Sequence, residues 1–141
     1  MSDLATLPRR KKKNHRNGTT AVEFAVVAPV FFLFIIAAVD LGRLNIIRHT
    51  ADNAAYEAAR HAMVPGATAA EAISEANVIL RSVGTTGSTV TVSPAVLDPS
   101  VNEITVTVEV PLDQNGWITP HFTSGKTIVR QSRLKTERVG Q

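Results

Sequence analysis

One carboxylate stands at the start of an otherwise apolar segment. Glu23 is followed by a run without charged residues from Phe24 to Val39. Because a charge inside such a segment costs free energy unless a partner neutralises it, its presence indicates a function. The chemistry open to Glu23 is pairing with a group that neutralises its charge. The alternative is a carboxylate that extends toward the polar edge of a membrane.

The other residue types that carry chemistry do not form a recognisable site. The histidines His15, His49, His61 and His121 are dispersed, and the middle two would lie ~18 Å apart on one helix, too far to share a metal ion. The absence of cysteine excludes disulfides and thiolate metal sites. The sequence contains neither a glycine-rich phosphate loop nor a Gly-x-Ser-x-Gly motif. We therefore expect no enzymatic activity, no bound metal and no cofactor.

Residues 1–18 form a basic leader. The chain has 15 Lys/Arg and 12 Asp/Glu, of which the leader holds six and one, so nine basic and eleven acidic residues remain for the body. A slightly acidic body disfavours nucleic-acid binding. Cations directly before an apolar segment instead predict that the N-terminus stays in the cytoplasm. These cations are Arg9, Arg10, Lys11, Lys12, Lys13 and Arg16.

A secretory signal peptide is an alternative for this region, since a positive leader and an apolar segment are typical of one. No Ala-x-Ala site follows the apolar run, however, because Ala37-Ala38-Val39-Asp40 leads directly into a charged helix. Glu23 is also foreign to the apolar part of such a signal. A retained membrane helix explains the pattern better.

The elements that would position Glu23 begin with one continuous helix from Thr19 to about Met63. Its first half, to about Leu41, is apolar on nearly every side and long enough to cross ~30 Å of hydrocarbon. Pro29 lies inside this half and predicts a kink that neighbouring helices could compensate.

The second half of this helix has one face of small and apolar residues. They recur at intervals of three and four, which is the helical period. The face either docks on the small domain that follows, which we favour, or packs against another subunit. Its residues are Leu44, Ile47, Ala51, Ala55, Ala58 and Ala62.

The remainder predicts a small α+β domain. Thr68 and Glu71 have the spacing of a capping box, and a second helix follows that ends at Gly84. Alternation at 89–92 and 104–110 predicts two strands, and 127–135 predicts a third. The fold class is therefore α+β, with a long N-terminal helix, a second helix and a small three-stranded antiparallel sheet. Residues 113–125 form a long loop in which Trp117 and Phe122 would cover the sheet.

Several separated motifs together resemble the TadE-like family, the pseudopilins of tight-adherence (Tad) pilus systems. The resemblance extends from Gly18 to Arg60. It rests on a leader that ends at Gly18 and on the segments Ala21-Val22-Glu23-Phe24-Ala25, Ala28-Pro29, Asp40-Leu41-Gly42-Arg43 and Ala51-Asp52-Asn53-Ala54-Ala55-Tyr56-Glu57-Ala58-Ala59-Arg60. Thr19-Thr20 departs from the small apolar residues usual after the cleavage point, which puts only cleavage efficiency in doubt.

The resemblance implies cleavage by a prepilin peptidase between Gly18 and Thr19. The new amine of Thr19 would then be a counter-charge for Glu23 in the same chain or in a neighbouring subunit. An unpaired ion in an apolar medium is penalised and a satisfied pair much less so, which would set the register of subunit addition. Phe24 and the apolar residues after it would pack against partner helices.

We accordingly predict five segments: leader 1–18, transmembrane 19–41, amphipathic helix 42–63, periplasmic domain 64–136 and frayed end 137–141. The predicted protein is a minor pilin-like subunit in the bacterial inner membrane, with the peptidase, other pilin or pseudopilin subunits and the pilus assembly machinery as partners. One alternative is an uncleaved single-pass adaptor or scaffold of a secretion or pilus machine. Another is a membrane-tethered adhesion domain with Trp117 and Phe122 as contact residues.

Overall fold

The structure is a computed structural model that describes residues 16–98, 101–116 and 124–135. The chain forms two compact units, Met1–Ile35 and Ile36–Gln141. Several predictions fall outside the described residues. These are the leader up to His15, the contact residues Trp117 and Phe122, His121 and the frayed end 137–141.

Helix α1, Arg16–Ala62, begins three residues earlier than the predicted start at Thr19. The difference has a simple cause. A single glycine inside a helix costs only ~1 kcal/mol relative to alanine, so Gly18 does not end a helix that the following residues strongly favour. The end at Ala62 agrees with the prediction, and α1 continues through Pro29.

The described part of the first unit is the apolar beginning of α1. From Gly18 onward the helix is long and apolar enough to cross a membrane, which fits a single-pass membrane protein. Its side chains are exposed, including Phe24 at 72% and Phe34 at 70%. Within the described part of this unit nothing buries them, and this exposure fits a helix that lies in an apolar surrounding.

In the second unit, the remainder of α1 buries the predicted small-residue face. Ile47, Ala51 and Ala58 have no exposed surface and share one core with the valines of the sheet. The docking of this face on its own domain is therefore confirmed. Ala54 and Ala59 are also buried, which makes the face wider than the predicted stripe.

Helix α2, Ala69–Ser82, has the termini that the sequence predicts. The Thr68 hydroxyl accepts from the Glu71 backbone N–H at 3.2 Å, and Glu71 Oε2 accepts from the Thr68 backbone N–H at 2.9 Å, completing the capping box. At the other end, Gly84 adopts a φ of +68° and donates to the Arg81 carbonyl, while Thr85 donates to the Leu80 carbonyl. This Schellman arrangement satisfies the last carbonyls of the helix.

The described residues contain one antiparallel sheet of three strands, β1 (Thr89–Ser93), β2 (Glu103–Pro111) and β3 (Thr127–Lys135), in the order β1-β2-β3. The short 3₁₀ helix Leu112–Gln114 follows β2. Alternate residues of the central strand, Ile104, Val106, Val108 and Val110, are buried in the core. The predicted α+β fold class is confirmed.

Candidate functional site

Gly18 and Thr19 lie in the first turn of α1. A Cβ added at Gly18 would have no atom within 4 Å, so the backbone here is open to a large partner. The bond between the two residues is helical, whereas peptide-recognising clefts commonly bind an extended chain. A cleaving enzyme would have to unwind this turn, and the low helix propensity of Gly18 reduces the cost of doing so.

Glu23 lies one turn beyond Thr19 on the same helical face. Their separation of four residues corresponds to a rise of ~6 Å along the axis. No described residue pairs with the Glu23 carboxylate, since neither a hydrogen bond nor an ion pair reaches it. The geometry thus places an unmatched anion within reach of the position where an amine on Thr19 would stand.

The apolar surface that begins at Phe24 is continuous through the beginning of α1. Large side chains on all sides of the helix are at least 42% exposed, and Phe31 and Phe32 pack edge-to-face with ring centroids 6.0 Å apart. Such a surface can contact lipid tails or other apolar helices. Of the predicted topology residues, Arg16 is the first residue of α1, and the other five fall outside the described residues.

A second cluster, in the Ile36–Gln141 unit, fixes the body of the domain. Arg43 Nε donates to the Asn115 backbone oxygen at 3.2 Å, and Arg43 Nη2 donates to the Gly84 backbone oxygen at 3.3 Å. Asn115 is buried, and its amide nitrogen donates to the carbonyls of Thr86 at 2.8 Å and Pro111 at 2.7 Å. Its Oδ1 accepts from the Thr86 backbone N–H at 2.9 Å.

Sequence reasoning missed Asn115, although it noted Arg43 within a motif. An asparagine beside Gly116 predicts only a turn. Its contacts join the loop after α2 to the end of β2, and Arg43 adds α1 to them. We name Arg43, Asn115, Gly84 and Thr86 the polar clamp.

Asp40 is also turned into the body of this unit. It is 2% exposed, whereas its neighbours Val39 and Leu41 are 54% and 62% exposed. A polar partner holds it, so the buried carboxylate is not isolated. The segment Asp40-Leu41-Gly42-Arg43 has two charged residues. Asp40 supplies a buried carboxylate, and Arg43 supplies the guanidinium of the polar clamp.

The histidines of α1 do not converge. His49 is exposed and His61 is half-buried in the last turn of the helix. Across the described ranges there is no group of three side chains that could hold a metal ion. The expectation that the protein has no enzymatic activity stays a prediction.

Comparison with known proteins gives one match. Residues 18–60 match the family model of TadE-like proteins. No curated protein and no solved structure matches the chain. The matched range is the segment on which the resemblance rests, so the resemblance is confirmed there. It associates the protein with a Tad pilus assembly system.

Proposed function

We propose that this chain, whose residues 18–60 match the TadE-like family, is a minor pilin-like subunit that acts in pilus assembly. In this proposal a prepilin peptidase cleaves after Gly18, and the protein has no enzymatic activity of its own. The bacterial inner membrane holds the apolar first half of α1, residues 19–41, with the N-terminus in the cytoplasm and the domain outside.

The observation that carries the proposal is the position of Glu23. Its carboxylate is exposed on an apolar helix and has no partner among the described residues, one turn from Thr19. Cleavage would create an amine on Thr19 at the same level of the membrane. An isolated charge in an apolar medium is costly. Each added subunit would therefore take the position in which an amine of one subunit forms an ion pair with a carboxylate of another.

The exposed apolar surface supports the assembly role. Phe24, Phe31 and Phe34 are exposed by 72%, 60% and 70%, and the described part of the first unit offers them no internal core. In the proposed assembly, this surface packs against the helices of other pilin or pseudopilin subunits, and the lipid bilayer holds it beforehand. The basic leader supports the orientation, since cations flanking a span are retained on the cytoplasmic side.

The test is the intact mass and N-terminal sequence of the protein recovered from membranes. The protein is expressed in one host with a prepilin peptidase and in the same host without it. We expect a new N-terminus at Thr19 in the first host and residues 1–18 retained in the second. In both hosts, a Gly18→Pro variant, which alters the backbone at the cleaved bond, should retain residues 1–18.

Two results would contradict the proposal. Retention of residues 1–18 in both hosts would favour the uncleaved adaptor, in which Glu23 has no amine to pair with. A cut beyond Val39 would favour a secreted domain and remove Glu23 from the mature protein.

A further inference from the structure

Among the described residues, the outer edge of β3 is an open strand edge. All nine residues of β3 pair with β2 on one side, and no described residue pairs with the other side. Such an edge presents a row of backbone donors and acceptors that another extended chain can use. The opposite edge of the sheet differs, because β1 has only five residues and contacts α2.

The two faces of β3 have different chemistry. On the core side, Ile128 and Leu134 are only half-buried although they pack on the core. Leu44 and Arg48 of α1 line a shallow groove together with Leu112 and Ile128, beside the beginning of the strand. On the outer side, Val129 is 50% exposed and is followed by polar and cationic residues. On the core side an added strand would meet Ile128 and Leu134, with Ser132 and the Asp52-paired Arg130 between them. On the outer side it would meet Val129, Gln131, Arg133 and Lys135.

Positive charge dominates this edge. The segment from Lys126 to Lys135 also contains Arg130 and Arg133, and it has no acidic residue. Two carboxylates from elsewhere contact these cations. Asp52 Oδ1 lies 3.1 Å from Arg130 Nε, and Glu103 lies 3.1 Å from Arg133 Nε and 3.5 Å from Lys135 Nζ. Arg133 and Lys135 thus share one carboxylate, and no described carboxylate forms an ion pair with Lys126, so the segment has more cations than carboxylates in contact with them.

We infer that the free edge of β3 accepts an extended segment of another protein in which apolar and acidic residues alternate. Backbone hydrogen bonds would add this segment as a fourth strand. Its apolar residues would cover Ile128 and Leu134, and its carboxylates would stand beside Arg133 and Lys135 on the outer face. Alternation with period two is what a pleated strand requires to present the two chemistries on opposite faces.

The charges argue against a second copy of this chain as the occupant. Pairing of two β3 strands would bring together two cationic segments without an acidic residue in either. Like charges on neighbouring strands are destabilising, and edge cations are a known obstacle to association between identical edges. The same cations would attract an acidic partner and repel a second copy of this chain.

The experiment uses the full chain in detergent micelles and a synthetic peptide of alternating valine and glutamate, as long as β3. Binding is followed by fluorescence anisotropy of a labelled peptide, and amide hydrogen exchange is measured along the protein. We expect saturable binding and slowed exchange confined to β3. A peptide of the same composition with all valines before all glutamates should bind at least about fivefold more weakly, because it cannot match both faces.

Charge reversal gives the decisive control. The variant with Arg133→Glu and Lys135→Glu should no longer bind the valine–glutamate peptide and should instead bind a peptide of alternating valine and lysine. A misfolded protein would not show this change of preference. Arg60→Glu with Arg81→Glu changes the net charge equally on the helices and should leave both affinities unchanged.

Any of four outcomes overturns the inference. The peptides bind regardless of residue order, or both double variants lose affinity alike. Alternatively, the β3 amides that point away from β2 are already protected in the free monomer, or their protection rises with protein concentration because second copies pair there.

Discussion

The guanidinium of Arg43 donates from Nε to the backbone oxygen of Asn115 at 3.2 Å, across 72 positions of sequence. This hydrogen bond connects the part of α1 just beyond its apolar half to the end of the central strand. The Asn115 side chain extends the connection to the loop after α2. The polar clamp therefore joins all the layers of the domain at one place.

Asn115→Ala should destabilise the body strongly. The substitution removes four side-chain hydrogen bonds and leaves backbone groups of Thr86 and Pro111 without their partner. We expect a loss of ~3 kcal/mol in the free energy of unfolding, since each unsatisfied buried group costs ~1–3 kcal/mol. Urea unfolding in detergent, followed by circular dichroism, measures the change. Asn102→Ala, an exposed asparagine outside the clamp, should leave the free energy within ~0.5 kcal/mol of the native value.

Ala58→Leu should prevent close packing between α1 and the core. Ala58 has no exposed surface, so the additional carbons have no space without displacement of neighbouring residues. Overpacking of this kind typically costs ~1–3 kcal/mol. The matched control is Ala70→Leu, an exposed alanine at the beginning of α2. Equal midpoints of thermal unfolding for the two variants would contradict the packing described for this face.

The capping box of α2 should make stability depend on pH in the acid range. The hydrogen bonds from the backbone and side chain of Thr68 lower the pKa of Glu71, with a smaller contribution from the nearby His61. Because the folded pKa lies below the unfolded one, the contribution of Glu71 is fully present above pH ~4.3 and is lost as the pH falls through the folded pKa. Glu71→Gln should therefore be less stable than the native chain at neutral pH.

The difference in the free energy of unfolding between the native protein and Glu71→Gln should disappear at lower pH, once Glu71 itself is protonated. Chemical unfolding at a series of pH values from neutral to strongly acidic measures it. Glu75→Gln, on the same helix outside the capping box, is the matched control for the loss of one carboxylate. Thr68→Ala should cost ~1 kcal/mol at neutral pH through loss of the N-cap. A pH-independent difference for Glu71→Gln would show that the carboxylate form contributes nothing to the cap.

Glu23→Gln should abolish assembly without unfolding the body. The proposed role of Glu23 is an ion pair with the Thr19 amine, and the neutral amide keeps the size of the side chain but not its charge. Pilus production by a cell that carries only this variant is expected to fall at least about tenfold, the factor that corresponds to ~1.4 kcal/mol. Glu23→Asp, which retains the charge, should keep more assembly than Glu23→Gln. Normal assembly with Glu23→Gln would contradict the ion-pair mechanism and favour a carboxylate that merely reaches the headgroups.

The sequence by itself determined the features whose causes lie within a few residues. The apolar half of α1, the capping box of Thr68 and Glu71 and the alternation of β2 each follow from a local period or spacing. The alanine face of α1 belongs to the same class, because helical geometry brings residues three and four apart to one side. The apolar run also singled out Glu23 at its start, whereas the possible amine on Thr19 came only from the resemblance to the TadE-like family.

Only the tertiary structure decided which distant groups meet. Nothing local to Asn115 predicts that it joins two loops and accepts from Arg43, and nothing local to Asp52 predicts its contact with Arg130. The order β1-β2-β3, which leaves β3 at an open edge, depends likewise on pairing between distant segments. Such contacts arise from the free energy of the whole packed domain, in which buried polar groups must find partners, and so no short window of sequence encodes them.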